Sequence, residues 1–162
     1  MTDRARLELI REFIGMLKEH FQDRLYSVCL YGSVARDEAK NESDIDMLVV
    51  VDGLSQDLGL RYRETNDIRL GLKSASTYKR LRMKGICALI SDLYLTREEV
   101  EKHPPILLDL VEDGIILYDM EDFLKRVLND VRRRMTELGS RRVDRRYWIL
   151  DPHAKFGEEV RI

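Results

Sequence analysis

Residues 32 to 46 constrain this chain more than any other stretch: Gly32-Ser33, ten intervening residues, then Asp44-Ile45-Asp46 opening an apolar run to Val51. That run reads as a strand closed by the turn signal Asp52-Gly53, and Leu25 to Tyr31 reads as another strand, ending where Gly32 begins. Side chains alternate along a strand, so Asp44 and Asp46 project to one side while Ile45 points to the other. Two carboxylates that close raise each other's pKa unless a cation sits between them. Hard oxygen donors suit Mg²⁺, which typically takes one or two carboxylates plus substrate phosphates. The Gly-Ser turn supplies the other end of such a substrate. Glycine lets the backbone approach a ligand closely, amides opening a helix near Val34 favour a phosphate, and Ser33 adds a hydroxyl. A metal-bound triphosphate fits both halves. Arg36 follows Ser33 at i+3, on the same helix side, where it steadies phosphates or a carboxylate, or forms a structural ion pair.

The string Gly32-Ser33-Val34-Ala35-Arg36 with Ser43-Asp44-Ile45-Asp46 resembles the nucleotidyltransferase superfamily typified by DNA polymerase β. Within it the chain looks most like the small prokaryotic nucleotidyltransferases, including the antitoxin group that partners HEPN-domain toxins. The resemblance covers roughly residues 25 to 95. One departure is Asp37, where many relatives place Gly after the Arg; Asp tolerates a left-handed backbone less well.

The resemblance implies a mixed α+β fold with a small sheet of three to four strands flanked by helices. It also implies two Mg²⁺ ions held by Asp44 and Asp46, an NTP substrate whose β and γ phosphates rest on Gly32 and Ser33, and transfer of a nucleoside monophosphate to a hydroxyl. A protein side chain is one such acceptor, and a HEPN-type toxin one such protein. A third carboxylate on a neighbouring strand, serving as base or metal ligand, is also implied, and Asp92 is the candidate. Alternation along Cys87 to Leu95 puts Ile90, Asp92 and Tyr94 on one face and Leu89, Ser91, Leu93 and Leu95 on the other. The rival reading is a non-catalytic nucleotide- or protein-binding module of the same fold, such as an antitoxin that acts by binding.

Elsewhere the pattern alternates helix and strand. Leu7, Ile10, Ile14, Leu17 and Phe21 recur at three- and four-residue steps, predicting an amphipathic helix over residues 3 to 21. Residues 56 to 84 read as one or two helices and Cys87 to Leu95 as a third strand. Thr96 with Glu99 is a capping-box pattern, Pro104-Pro105 interrupts, and a short helix over Ile106 to Val111 precedes a fourth apolar run at Ile115 to Tyr118. A longer helix, about 121 to 138, closes at Gly139. The nucleotidyltransferase unit is expected over 1–119, with a C-terminal helix and basic tail, 120–162, packed on the same domain.

With 44% apolar and 36% charged residues the 162-residue chain falls among globular proteins. The N-terminus lacks a signal-peptide core and no apolar run approaches the ~20 residues of a membrane span, so a cytoplasmic protein away from the membrane is expected. Cys29 and Cys87 fall in expected strands without metal-ligand spacing, which predicts small buried thiols rather than a zinc site, and His20, His103 and His153 are scattered singly. Residues 125 to 162 carry eleven Lys and Arg against six Asp and Glu, including Arg132-Arg133-Arg134 and Arg141 to Trp148. A net charge of −2 gives no global pull towards nucleic acid. The favoured reading is therefore a solvated helix face plus a tail that packs Trp148 and Ile149 on the domain or a second subunit, with nucleic acid the lesser alternative.

Overall fold

The computed structural model describes residues 4–143, 147–155, 158–160 and 162. The amphipathic helix α1 (Arg4–Phe21) turns every third or fourth side chain inward, burying Leu9, Ile10, Phe13, Leu17 and Phe21. It leads into β1 (Leu25–Tyr31), the four-residue helix α2 (Gly32–Ala35) and β2 (Ile45–Val51). Two helices follow, α3 (Leu58–Ser74) and α4 (Ser76–Met83), then β3 (Ile90–Leu95), α5 (Arg97–Glu101), α6 (Ile106–Asp113) and β4 (Ile115–Asp119). The helix α7 (Phe123–Leu138) stops at Gly139, whose φ of 70° is the left-handed turn that ends a helix most cheaply with glycine. A small hairpin, β5 (Arg141–Val143) and β6 (Tyr147–Ile149), completes the described elements.

The sheet is mixed, in the order β3-β2-β1-β4: β1 runs antiparallel to both β2 and β4, whereas β2 and β3 are parallel. Alternation divides the strands between two cores. Val28, Leu30, Ile45, Met47, Val49, Ile90 and Tyr94 face α1, α3 and α4, while Cys29, Leu48 and Val50 face α6 and α7. The α+β expectation holds, and the Thr96–Glu99 capping box forms as its spacing predicts.

One local expectation is corrected. The third strand begins at Ile90 rather than Cys87, so Cys87 lies outside it and is only half-buried; Cys29 is buried in its strand. In the tail, β5 and β6 pair as a hairpin, Trp148 and Leu150 pack against the α6–α7 core, and Trp148 Nε1 donates to Asp109 Oδ1 at 3.0 Å. Asp144, Arg145 and Arg146 of the basic segment lie outside the described residues.

Candidate active site

The end of β1 and the start of β2 meet at one point. Tyr31 pairs with Asp46, and the chain leaves Tyr31 through Gly32, whose φ is 72°. A Cβ at Gly32 would run into Asp46 Oδ2, so this position demands glycine twice: for its left-handed backbone and for the room it leaves beside the carboxylate. Ser33 opens the tight turn that follows. Asp37 adopts a φ of 60°, so it supplies the left-handed residue that a glycine supplies in the family pattern.

The ten-residue spacer between Ser33 and Asp44 is pinned from below. Arg6 of α1, 4% exposed, sends Nη2 to the carbonyls of Lys40 at 2.6 Å, Ser43 at 3.2 Å and Asn41 at 3.4 Å. One buried guanidinium thus gathers three carbonyls of the loop that delivers Asp44.

Burial pushes the Asp46 carboxyl above the ordinary carboxylate range, and the neighbouring charge of Asp44 pushes it further; the Ser91 hydroxyl and the Arg36 guanidinium act in the opposite sense. Burial, followed by the charges of Asp46, Asp109 and Asp44, pushes the Tyr31 phenol up to about 12. Arg36 is anchored by carboxylates: Nε meets Glu38 at 2.9 Å and Nη1 meets Asp113 at 2.7 Å. Asp113 also receives Arg142 Nη1 at 3.0 Å, and Arg142 Nη2 lies 3.2 Å from Asp109. The C-terminal hairpin is therefore tied through α6 to the residue that follows the Gly-Ser turn. Nothing in the sequence pattern marks Asp109, Asp113 and Arg142 as a group; only the packing of α6 under the hairpin brings them together.

The structure does not bring Asp92 to this cluster. The parallel register pairs Asp46 with Ser91 and Met47 with Asp92. Neighbours in register share a face, so Ser91 stands beside Asp46 while Asp92 points with Met47 into the α1–α3 side. There its side chain is 7% exposed and meets Arg69 Nε at 3.0 Å. The third-carboxylate expectation for Asp92 is thereby corrected. Leu89 and Leu93 are solvent-exposed whereas the face carrying Ile90 and Tyr94 is the core face, and Arg69 of α3 neutralises the one charge on it. Among the described residues no group of three or more His, Cys, Asp or Glu side chains converges on a metal position.

The comparisons agree with this architecture. Residues 10–143 match the family model described as the nucleotidyltransferase domain, so the chain belongs to that family. Two provisionally named protein adenylyltransferases of Methanocaldococcus jannaschii are similar to it. MJ1305 is 26% identical over 132 residues, covering 82% of this chain and 84% of that protein. MJ0604 is 44% identical over 43 residues, covering 26% of this chain and 43% of that protein. Among solved structures, a chain in a toxin–antitoxin complex of MntA and HpeT carrying two Asp-to-Glu substitutions is 14% identical with a TM-score of 0.50, covering 80% of this chain and 91% of its own, which places the two in one fold. A chain in the complex of the tri-AMPylated Shewanella oneidensis HEPN toxin with its MNT antitoxin is 14% identical with a TM-score of 0.48, covering 83% and 92%. No helix among the described residues is long and apolar enough to cross a membrane.

Proposed function

We propose that this nucleotidyltransferase moves an adenylyl group from ATP to a hydroxyl on a protein, with Mg²⁺ held by Asp44 and Asp46. The observation that carries this reading is the space beside Asp46 Oδ2 that only a glycine at position 32 leaves, because it joins the phosphate turn and the carboxylate pair into one site. The donor set fits the ion: two hard carboxylates, one of them destabilised in its charged form by burial and by the other, would be stabilised by a cation that also takes phosphate oxygens. When bound, the metal neutralises charge on the triphosphate and at the α-phosphorus. The family resemblance implies two such ions. The two carboxylates, with Ser91 in place of a third, account for holding one.

In the proposed reaction the acceptor oxygen forms a bond to the α-phosphorus, the bridge to the β-phosphate breaks, and pyrophosphate leaves with the bonding electron pair. The hydroxyl proton passes to solvent. The backbone of Gly32 and the Ser33 hydroxyl orient the departing phosphates, and Arg36, shared between Glu38 and Asp113, holds the turn in place. Support for a protein acceptor comes from the name of the M. jannaschii relative that spans most of this chain. The motif's resemblance to the antitoxin group makes a HEPN-domain toxin the acceptor to try first.

A second reading, a non-catalytic binding module of the same fold, is favoured by one observation, the serine at position 91 where a third carboxylate would stand. Incubation with each α-labelled NTP and Mg²⁺, with and without the products of neighbouring genes, separates the two. Covalent label on a protein, strongest from ATP, is the expected result; nucleotide binding with no label under any condition selects the module.

A further inference from the structure

Given that reading, the strand register fixes the direction from which an acceptor must approach. Displacement at phosphorus sets the attacking and leaving oxygens roughly in line on opposite sides. The pyrophosphate leaves on the β1 side of Asp46, where Tyr31 runs into Gly32-Ser33, so the hydroxyl arrives from the β3 side, over Ser91. There β3 is the edge of the sheet. Towards its C-terminal end Arg61 Nη1 donates to the Tyr94 carbonyl at 2.9 Å, which leaves the half beginning at Ile90, with Leu89 just before it, for a visitor.

That half is bordered by a surface of definite chemistry. Leu89 is 53% and Leu93 36% exposed. A cavity of about 420 Å³ beside Leu89 is bounded by Tyr62, Arg69 and Tyr78 and reaches Ser91, and a second of about 720 Å³ adjoins it through Lys73 and Leu89 and extends to Arg82. Asp92 holds Arg69, whose guanidinium lies 4.8 Å from the centre of the Tyr62 ring. Lys73 and Arg82 have no ion-pair partner among the described residues, and the carboxylate lining the second cavity is Glu42. An apolar centre with unpaired cations on its rim is complementary to an apolar segment flanked by carboxylates.

We infer that the N-terminal half of the β3 edge, with the two cavities behind it, is the docking surface of the acceptor, and that the acceptor is an acidic polypeptide. Its apolar and aromatic side chains lie against Leu89, Leu93 and Tyr62, its carboxylates face Lys73 and Arg82, and its hydroxyl reaches over Ser91 towards Asp46. RNA would use the same cations but gains little from the exposed leucines at the centre, so polypeptide is the class the surface favours.

Fluorescence anisotropy with three labelled probes tests this: a random Glu/Tyr copolymer, a Lys/Tyr copolymer and polyuridylate RNA, each added to the full chain with Mg²⁺-ATP. The wild type should bind the Glu/Tyr copolymer at least about tenfold more tightly than the Lys/Tyr copolymer. The double variant K73E/R82E should reverse that order, and Leu89→Asp should weaken Glu/Tyr binding about tenfold, both variants keeping the thermal shift given by Mg²⁺-ATP. Failure to bind either copolymer, an order unchanged by the charge reversal, or tighter binding of the RNA would overturn the assignment. A wild type without any Mg²⁺-ATP shift would defeat the nucleotide reading instead, and the copolymer ranking would still be readable.

Discussion

Ser91 stands in register beside Asp46 across the parallel β2–β3 pair, and its hydroxyl favours the ionised form of a carboxylate that burial and Asp44 both disfavour. Ser91→Ala should therefore raise the Asp46 pKa further. Metal binding needs that carboxylate ionised, so the acid limb of the pH profile for Mg²⁺-dependent ATP turnover should move to higher pH, with the plateau well above it little changed. An acid limb that stays in place or moves down would contradict the coupling.

Asp92 is assigned to stability. Replacing it with Ala leaves Arg69 without its carboxylate on the core face of β3 and should lower unfolding free energy by about 1.5 to 3 kcal/mol, the scale of a hydrogen bond to a charged group. Turnover per folded molecule should change by less than about threefold, whereas loss of a general base costs roughly 100-fold or more. Urea unfolding and active-site-normalised kinetics on the same preparation distinguish the two roles.

Arg6 holds the loop that delivers Asp44 without touching the site itself. Arg6→Met should release the Lys40, Asn41 and Ser43 carbonyls, cost about 2 to 3 kcal/mol of stability, and weaken Mg²⁺-ATP binding as Asp44 loses its fixed position. Amide exchange over residues 38 to 44 should quicken more than exchange in β1; uniform quickening through the chain would show a global effect alone.

Removal of the segment after Gly139 takes away Trp148 and Leu150 from the α6–α7 core and Arg142 from Asp109 and Asp113. Stability should fall by about 2 to 4 kcal/mol, the scale of withdrawing one or two apolar side chains from burial. Urea titration of the shortened chain checks this, and a midpoint equal to that of the full chain would show the hairpin to be dispensable.

Much of this architecture is legible in the residues themselves. Leu25 to Tyr31 and Ile45 to Val51 carry enough consecutive apolar side chains to declare buried strands, and the i, i+3, i+4 spacing of α1, the Thr96–Glu99 cap and Gly139 mark helices and their ends by local chemistry. The position of the third strand's side chains is a different matter. Alternation pairs Asp92 with Ile90 and Tyr94 but says nothing about which face meets Asp46; that depends on a register set by packing against α1 and α3, and a slip of one residue exchanges Asp92 for Ser91. The hairpin of the tail is equally silent, because its strands are three residues long and are held by Trp148 and Arg142 reaching α6 rather than by their own pattern.

The proposed activity requires Asp44 and Asp46 to form, with the Gly32 turn, a single Mg²⁺-nucleotide site. Its most direct test is the melting temperature of the wild type, Asp44→Asn and Asp46→Asn, each with ATP and with either Mg²⁺ or EDTA. Ligand that binds only the native state raises the transition. The folded Asp46 pKa lies above its ordinary value, so the native state holds its proton more tightly than the unfolded chain does. Between the two values stability falls as pH rises, and at neutral pH Asp46→Asn without ligand should melt no lower than the wild type. The predicted result is a Mg²⁺-dependent ATP shift in the wild type that both substitutions abolish; a wild type indifferent to Mg²⁺-ATP at millimolar concentration, or variants that keep the full shift, would contradict the account.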